Sequence, residues 1–228
     1  IESVPDSKAR GAEACWSDED NLCGLELTNG LLTRRFVLEP AFGTIDFMLN
    51  STGSLESMMR AIEPEARLNI SDGVECVVGG LRDSSSARAY LNRTGFAARL
   101  TVAEGHRRLN YVGHRIGRPR APFRWTPGSR HSSRYADWPP KGATLEVDFA
   151  SDRLNVTIFY ELYDGVPIMS KWLQVRSELP QTAIESVAVE TVAANARFGA
   201  YFPHGSKIPG AFDSCGASSK EAPLPLIH

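Results

Sequence analysis

Trp125, Arg130, His131 and Trp138 fall within one stretch, RIGRPRAPFRWTPGSRHSSRYADWPPKG, that runs from Arg115 to Gly142. Residues of these types can grip a carbohydrate. Indole rings stack on the C–H face of a pyranose, and arginine or histidine nitrogens donate to hydroxyls or to a carboxylate. The stretch is rich in Arg and Pro and has no period. A long irregular segment inside a compact domain is usually functional or wraps a core. The plainer alternative is that aromatics cover a core edge while arginines stay in solvent. That alternative fits Trp172, which lies in mid-strand; both stay open at Trp125 and Trp138.

A second set is acidic. Hydrolysing a glycosidic bond takes two carboxyl groups flanking it, roughly 5–9.5 Å apart. Asp137, Asp148, Asp152, Glu161 and Asp164 are available. Epimerising a sugar takes a carboxylate base and a histidine acid across one face. Glu104, Glu146, Glu161 and Glu190 could serve as the base, but no spacing pairs them with His106, His114, His131, His204 or His228. Asp164 precedes Gly165 and reads as a turn residue that bonds its own backbone. No residue is therefore expected to be catalytic. Neither a P-loop, a dinucleotide fingerprint nor a nucleophile elbow is found, and Gly79-Gly80 reads as a turn or a close backbone approach. No Cys-x-x-Cys and no zinc-spaced histidines occur, so no metal site and no cofactor are expected.

Cys15, Cys23, Cys76 and Cys215 are the four cysteines. Cys15 and Cys23 lie close enough for a local disulfide, with Cys76 and Cys215 closing a long one, but three connectivities are open. Four sequons accompany them, at Asn50, Asn69, Asn92 and Asn155. That is more than this composition scatters by chance. Together they predict a secreted or extracellular glycoprotein made in the secretory pathway. Ile1-Glu2-Ser3-Val4-Pro5 does not itself read as a signal peptide.

These residues need a scaffold, and the sequence reads as all-β. Strand-like runs are Gly24–Leu27, Leu31–Leu38, Thr44–Leu49, Arg67–Ile70, Val74–Val78, Ala97–Val102, Thr144–Phe149, Leu154–Leu162, Ile168–Val175 and Ile184–Ala193. Asn29-Gly30, Asp72-Gly73 and Asp164-Gly165 mark tight turns between them. Helix is scarce: Ser57–Ile62, Tyr90–Asn92 and Gly105–Asn110 are the short candidates. The pattern predicts an irregular segment over 1–24, one large sandwich over 25–200, and an extended tail or linker over 201–228. The 228 residues and 42% hydrophobic content suffice for such a core. A net charge of −2 gives no case for nucleic acid. No apolar run approaches the roughly 20 residues of a membrane span.

Several short segments are similar, in order, to one family. Asn29-Gly30-Leu31-Leu32-Thr33-Arg34-Arg35-Phe36 resembles an NGL-x-R-x-F opening. It is followed by Arg60-Ala61-Ile62-Glu63-Pro64-Glu65-Ala66, Asp72-Gly73, Val78-Gly79-Gly80-Leu81, Ala121-Pro122-Phe123-Arg124-Trp125, Trp138-Pro139-Pro140-Lys141-Gly142 and the hairpin from Tyr160 to Val175. Over about residues 24–195 the chain resembles the N-terminal β-sandwich of glycoside hydrolase family 36 and other α-galactosidase-like proteins. The resemblance implies a large antiparallel supersandwich of the galactose-mutarotase-like type, with long irregular loops. In such hydrolases a following (β/α)₈ barrel carries both catalytic aspartates. No alternating βα pattern runs through this sequence, so those residues match no position here.

The expectation is a non-catalytic sandwich domain of a secreted glycoside-hydrolase-like glycoprotein. Its partners would be carbohydrate, or other domains or subunits of an extracellular assembly. Two alternatives stand beside it: the N-terminal part of an active hydrolase whose barrel lies outside this sequence, and a purely structural extracellular module.

Overall fold

The structure is a computed structural model that describes residues 8–15, 23–38, 41–50, 55–71, 73, 75–80, 107–121, 123–126, 128, 137–178 and 182–194. Its strands are β1 (Arg10–Cys15), β2 (Cys23–Thr28), β3 (Leu32–Val37), β4 (Gly43–Asn50), β5 (Leu55–Ser57), β6 (Met59–Ala61) and β7 (Ala66–Ile70). They continue with β8 (Glu75–Val78), β9 (Arg107–Gly117), β10 (Gly142–Ala150), β11 (Leu154–Tyr163), β12 (Met169–Ser177), β13 (Ile184–Ala188) and β14 (Ala193–Ala194). The fold is all-β. Among the described residues no helix is long and apolar enough to cross a membrane.

Strands β1 to β5 form an antiparallel meander in chain order. The larger sheet has seven strands in the order β12-β11-β10-β9-β8-β7-β13, and β6 pairs with β14. Every pair in the larger sheet is antiparallel except β8–β9, which is parallel. The sheet is therefore mixed, a departure from a wholly antiparallel supersandwich. Alternation sets which face is buried. On β11, Leu154, Val156, Ile158 and Tyr160 are each no more than 1% exposed, while Asn155, Thr157 and Phe159 are partly exposed. The β10–β11 register runs without a bulge, so this parity holds along the whole strand. Phe36, Leu25 and Leu27 of the smaller sheet meet Leu145, Phe149 and Tyr160 of the larger one in a single core. Burying each such side chain contributes about 1.5–3 kcal/mol.

Three short elements differ from expectation, the first in a local hairpin and the other two through partners remote in sequence. The segment 1–24, expected to be irregular, holds β1, which pairs with β2 and is stapled to it by the Cys15–Cys23 disulfide. Such a bond points to an oxidising compartment. Ser57–Ile62, a helical candidate, contains β6, drawn into pairing by Ala193 and Ala194. Gly105–Asn110, another helical candidate, contains the start of β9, whose Arg107 and Leu109 pair with Cys76 and Val78. β9 also runs to Gly117, into the stretch read as irregular. The run Ile184–Ala193, read as one strand, divides into β13 and β14. The strand expected at Ala97–Val102, the candidate helix at Tyr90–Asn92, and Cys215 lie outside the described residues. Cys76 is buried on β8.

The turns are bolted to one another. Asn29 is buried, and its Oδ1 accepts from the Leu31 and Leu32 amides at 3.0 and 2.8 Å. Its Nδ2 donates to the Tyr163 and Val166 carbonyls, both at 2.7 Å, across the sandwich. The Asp164-Gly165 turn, with Gly165 at φ 73°, is thus capped by the Asn29-Gly30 turn. Asp164 Oδ1 accepts from the Ala9 amide at 2.7 Å. Gly79 and Gly80 also have positive φ, and a Cβ on Gly80 would stand 2.1 Å from the Glu63 carbonyl oxygen. Both expectations for that pair, turn and close approach, are met.

Candidate functional site

Two charged constellations stand out, one on each face of the larger sheet. The inner one lies between the sheets. Arg34 on β3 keeps the parity of Leu32 and Phe36, and its guanidinium enters the core. Its Nη2 reaches Glu65 Oε2 at 2.9 Å, its Nη1 reaches Glu190 Oε2 at 2.8 Å, and its Nε donates to Thr44 Oγ1 at 2.9 Å. Lys171 on β12 lies 3.0 Å from Glu190 Oε2 and 3.5 Å from Glu65 Oε2, and donates to the Glu65 carbonyl at 2.5 Å. Tyr160 donates its hydroxyl to Glu65 Oε2 at 2.5 Å, and its ring lies 4.8 Å from the Arg34 guanidinium carbon. Two cations and two carboxylates balance.

Burial sets the electrostatics there. It would raise the Glu65 pKa, but Arg34, Lys171 and hydrogen bonds from Tyr160 and Thr44 hold it down to about 2. Burial works against the Arg34 charge too, and Glu190 and Glu65 more than offset it. Burial, followed by the Glu65 charge, pushes the Tyr160 phenol far up, so it acts as a donor. Burial pulls Lys171 below its ordinary value. The Arg34 and Glu65 side chains are only 4% and 1% exposed, and their polar atoms are satisfied by one another. Such a network of mutually satisfied polar groups holds two sheets in register, with Glu190 at its rim, 32% exposed.

The outer constellation is open. Register places its residues in rows across β9, β10, β11 and β12. One row reads Arg115, Glu146, Phe159, Trp172; the next reads Gly113, Asp148, Thr157, Gln174. A third begins at Ala150 and continues through Asn155 and Arg176. All of them but Gly113 line a groove of about 530 Å³, within the size range of ligand pockets. Arg115 Nε and Nη2 donate to Glu146 Oε2 at 3.0 and 2.9 Å, and Nη1 donates to Asp148. Thr157 Oγ1 donates to Asp148 Oδ1 at 2.7 Å. Burial would raise the Asp148 pKa, but the bonds from Arg115 and Thr157 hold it below the ordinary value. Its carboxylate is thus kept as an acceptor. Beside it, Phe159 and Trp172 stack with ring centroids 5.1 Å apart and planes within 5°. Each ring keeps one face outside the pair.

At the end of these strands nearest Gly117 and Gly142, Glu161 is buried and accepts from Thr144 and Tyr163 hydroxyls at 3.2 and 3.1 Å. The Arg120 amide, where the β9–β10 connection leaves the sheet, also donates to it at 3.3 Å. That connection carries the aromatics that stand out in the sequence. Trp125 and Trp138 meet edge to face at 5.2 Å, and Phe123 lies 5.1 Å from Trp138. Trp138 Nε1 donates to the Phe123 carbonyl at 3.2 Å, and the Trp138–Pro139 peptide is cis. Both indoles are half-buried in this cluster, while Phe123 is 59% exposed. Arg130 and His131 lie outside the described residues. Asp164 is placed in a turn, and Glu190 at the partly exposed rim of the inner network.

Three of the sequon asparagines can be placed. Asn50 Nδ2 donates to the Gly30 carbonyl at 3.1 Å, and Asn69 Nδ2 donates to Ser186 Oγ at 2.8 Å. Asn155 Nδ2 donates to Glu178 Oε1, with both residues in the groove lining. Asn92 lies outside the described residues.

Phe159, Gln174 and Arg115 do not stand out as contacts in the sequence, and Trp172 reads there as a mid-strand core aromatic. The signal that could have found them is parity. Phe159 shares the Asn155 and Thr157 face of β11, so it could not belong to the core. Comparison with protein-family models, with curated proteins and with solved structures found no match.

Proposed function

We propose that this chain is a carbohydrate-contacting β-sandwich domain of a secreted glycoprotein, and that its contact surface is the groove across β9 to β12. One observation carries this: the stacked Phe159–Trp172 pair stands beside an arginine fixed by two carboxylates, on an open face. A pyranose presents an apolar C–H face and a rim of hydroxyls. The aromatic faces suit the first; Asp148, Gln174 and Arg115 suit the second. A carboxylate held ionised accepts hydrogen bonds from sugar hydroxyls and is a poor proton donor. The resemblance to the α-galactosidase-like sandwich supports a sugar as ligand and applies whether or not a barrel accompanies the domain. The test is binding to an array of saccharides, repeated with Trp172→Ala and Phe159→Ala. Binding lost in both variants with the fold intact supports the groove; binding lost only in Trp125→Ala and Trp138→Ala moves the site to the β9–β10 connection.

A structural role in assembly is favoured by one other feature. Ile184, Val187 and Val189 are 44%, 43% and 37% exposed on or just beyond the edge strand β13. Apolar side chains on a sheet edge suit a covering domain or subunit. Light scattering of the chain and of Val187→Lys would measure self-association there.

A further inference from the structure

We propose that the carbohydrate resident in this groove is the chain's own N-glycan, carried on Asn155 and laid along β11 over Phe159 and Trp172. This rests on the groove being a carbohydrate surface and names its occupant. The sequon Asn155-Val156-Thr157 lies inside the groove rather than at its margin: Asn155 and Thr157 both line it. Asn155, Thr157 and Phe159 point to the same face, and four residues of strand place Phe159 about 13 Å from Asn155. The first few rings of an N-glycan span that distance. The Asn69 sequon lies elsewhere, on β7, where its Nδ2 is bonded to Ser186 on β13.

The side chain is already aimed. Asn155 Nδ2 gives one hydrogen to the Glu178 carboxylate. Glycan transfer replaces the other. A bond forms between Nδ2 and the anomeric carbon of N-acetylglucosamine, and that carbon's bond to the pyrophosphate of a lipid-linked oligosaccharide breaks. The amide loses one proton and the pyrophosphate departs with the bonding pair. The remaining N–H can keep Glu178 as its partner, which fixes the direction in which the sugar leaves. Along the path, Arg176 is opposite Asn155 and Gln174 is opposite Thr157 on β12, with Asp148 opposite Thr157 on β10. These side chains supply donors and an acceptor for hydroxyls and for the N-acetyl amide. The sugars then reach the partly exposed Phe159–Trp172 pair.

A tethered glycan competes with free saccharide. Short flexible tethers give effective concentrations on the order of mM. A groove that binds the free core glycan with Kd near a tenth of that would bind it about tenfold more weakly while its own glycan is in place. The chain is secreted from a glycosylating eukaryotic host, and Asn155 occupancy is read by peptide mass spectrometry. The folded protein is then trimmed by endoglycosidase to the first N-acetylglucosamine. Both forms are titrated with free trimannosyl-chitobiose core, and NMR cross-peaks between glycan and aromatic protons are sought. The expected result is an occupied Asn155, sugar-to-Trp172 cross-peaks that vanish in Trp172→Ala, and about tenfold tighter binding after trimming. A bare Asn155, or an occupied one with freely tumbling sugars and equal affinity before and after trimming, overturns the inference while the groove still binds. If the trimmed form binds no saccharide and no cross-peak is seen, the groove reading falls with it. Because trimming acts on folded protein, a folding defect in Asn155→Gln does not obscure the result.

Discussion

Arg34 and Arg115 each sit between two carboxylates, one closed between the sheets and the other on an open groove. Their partners are alike, and the Arg34–Glu65 and Arg115–Glu146 contacts are both 2.9 Å. Exposure is what differs: the Arg34 side chain is 4% exposed and the Arg115 side chain 58%. Inside, Arg34 joins β3 and β4 to the Glu65 segment and to Glu190 at the rim of the network. Outside, Arg115 joins only neighbouring strands of one sheet, and its remaining surface faces water. The same ion-pair chemistry is buried as scaffold in one place and exposed on the outer face of the sheet in the other. Desolvation separates the two roles, because an unpaired charge is costly only where water cannot reach it.

The sharpest way to break this comparison is to remove one buried carboxylate. Glu65→Ala leaves Arg34 and Lys171 facing each other with Glu190 alone between them. It is expected to lose about 3–5 kcal/mol of stability, the cost of stranding a buried charge. Urea unfolding followed by tryptophan fluorescence measures it. A loss below about 1 kcal/mol would put the inner network on the same footing as a surface pair.

Acid makes the same test without mutation. The Glu65 pKa is lowered to about 2 in the fold, against about 4.3 for an unfolded glutamate. The unfolded chain binds the proton first, so the stability Glu65 contributes is complete above roughly pH 4.3 and drains as pH falls toward 2. Asp148 is lowered in the same direction, though it is only half-buried, its side chain 28% exposed. Stability measured from pH 6 downward should fall through this window, and Glu65→Gln should flatten the slope far more than Asp148→Asn. Equal flattening by both would erase the distinction between inside and outside.

The inner network and the groove were unequally legible in the sequence. Parity on β11 and β12 was readable: Val156, Ile158 and Tyr160 alternate with Asn155, Thr157 and Phe159, and the burial follows. The Asp-Gly turn was readable from its residue types alone. Arg34, Glu65 and Lys171 are visible as charged residues within strand-like or turn segments, yet nothing local told that they converge. They are far apart in the chain, and their contact depends on how two sheets stack. Lys171 carried a weak sign, since it keeps the parity of Met169, Leu173 and Val175 and so had to face inward. The groove rows were hidden for a related reason. Glu146 opposes Phe159, and Phe159 opposes Trp172, only once strand register is known. The aromatics of the β9–β10 connection drew attention by density. The structure folds Trp125 and Trp138 against each other and Phe123, which uses part of their stacking surface.

Within the groove, Trp172→Ala should separate binding from stability. The stacked pair with Phe159 contributes about 0.5–1.5 kcal/mol beyond simple burial, and the partly exposed side chain adds a modest further loss. Melting temperature should therefore shift little, whereas saccharide binding should fall at least tenfold by calorimetry. A large stability loss with binding retained would make the pair a core edge rather than a platform.

The smallest effect on the fold, and the finest test of the comparison, belongs to Arg115. Removing it as Arg115→Ala should cost less than about 1 kcal/mol, because exposed ion pairs are screened and solvated. The cost should shrink further in high salt. Without its donors, the Asp148 pKa should rise toward the ordinary aspartate value, readable by NMR titration of its carboxyl carbon. Arg115→Lys separates charge from shape: a single ammonium cannot bridge Glu146 and Asp148 with the planar fork that now does so. If the groove grips sugar through carboxylates held in place, Arg115→Lys should restore the depressed Asp148 pKa in part and saccharide affinity hardly at all. Full restoration of both would mean that charge alone orders this face, and that the fork contributes nothing the groove uses.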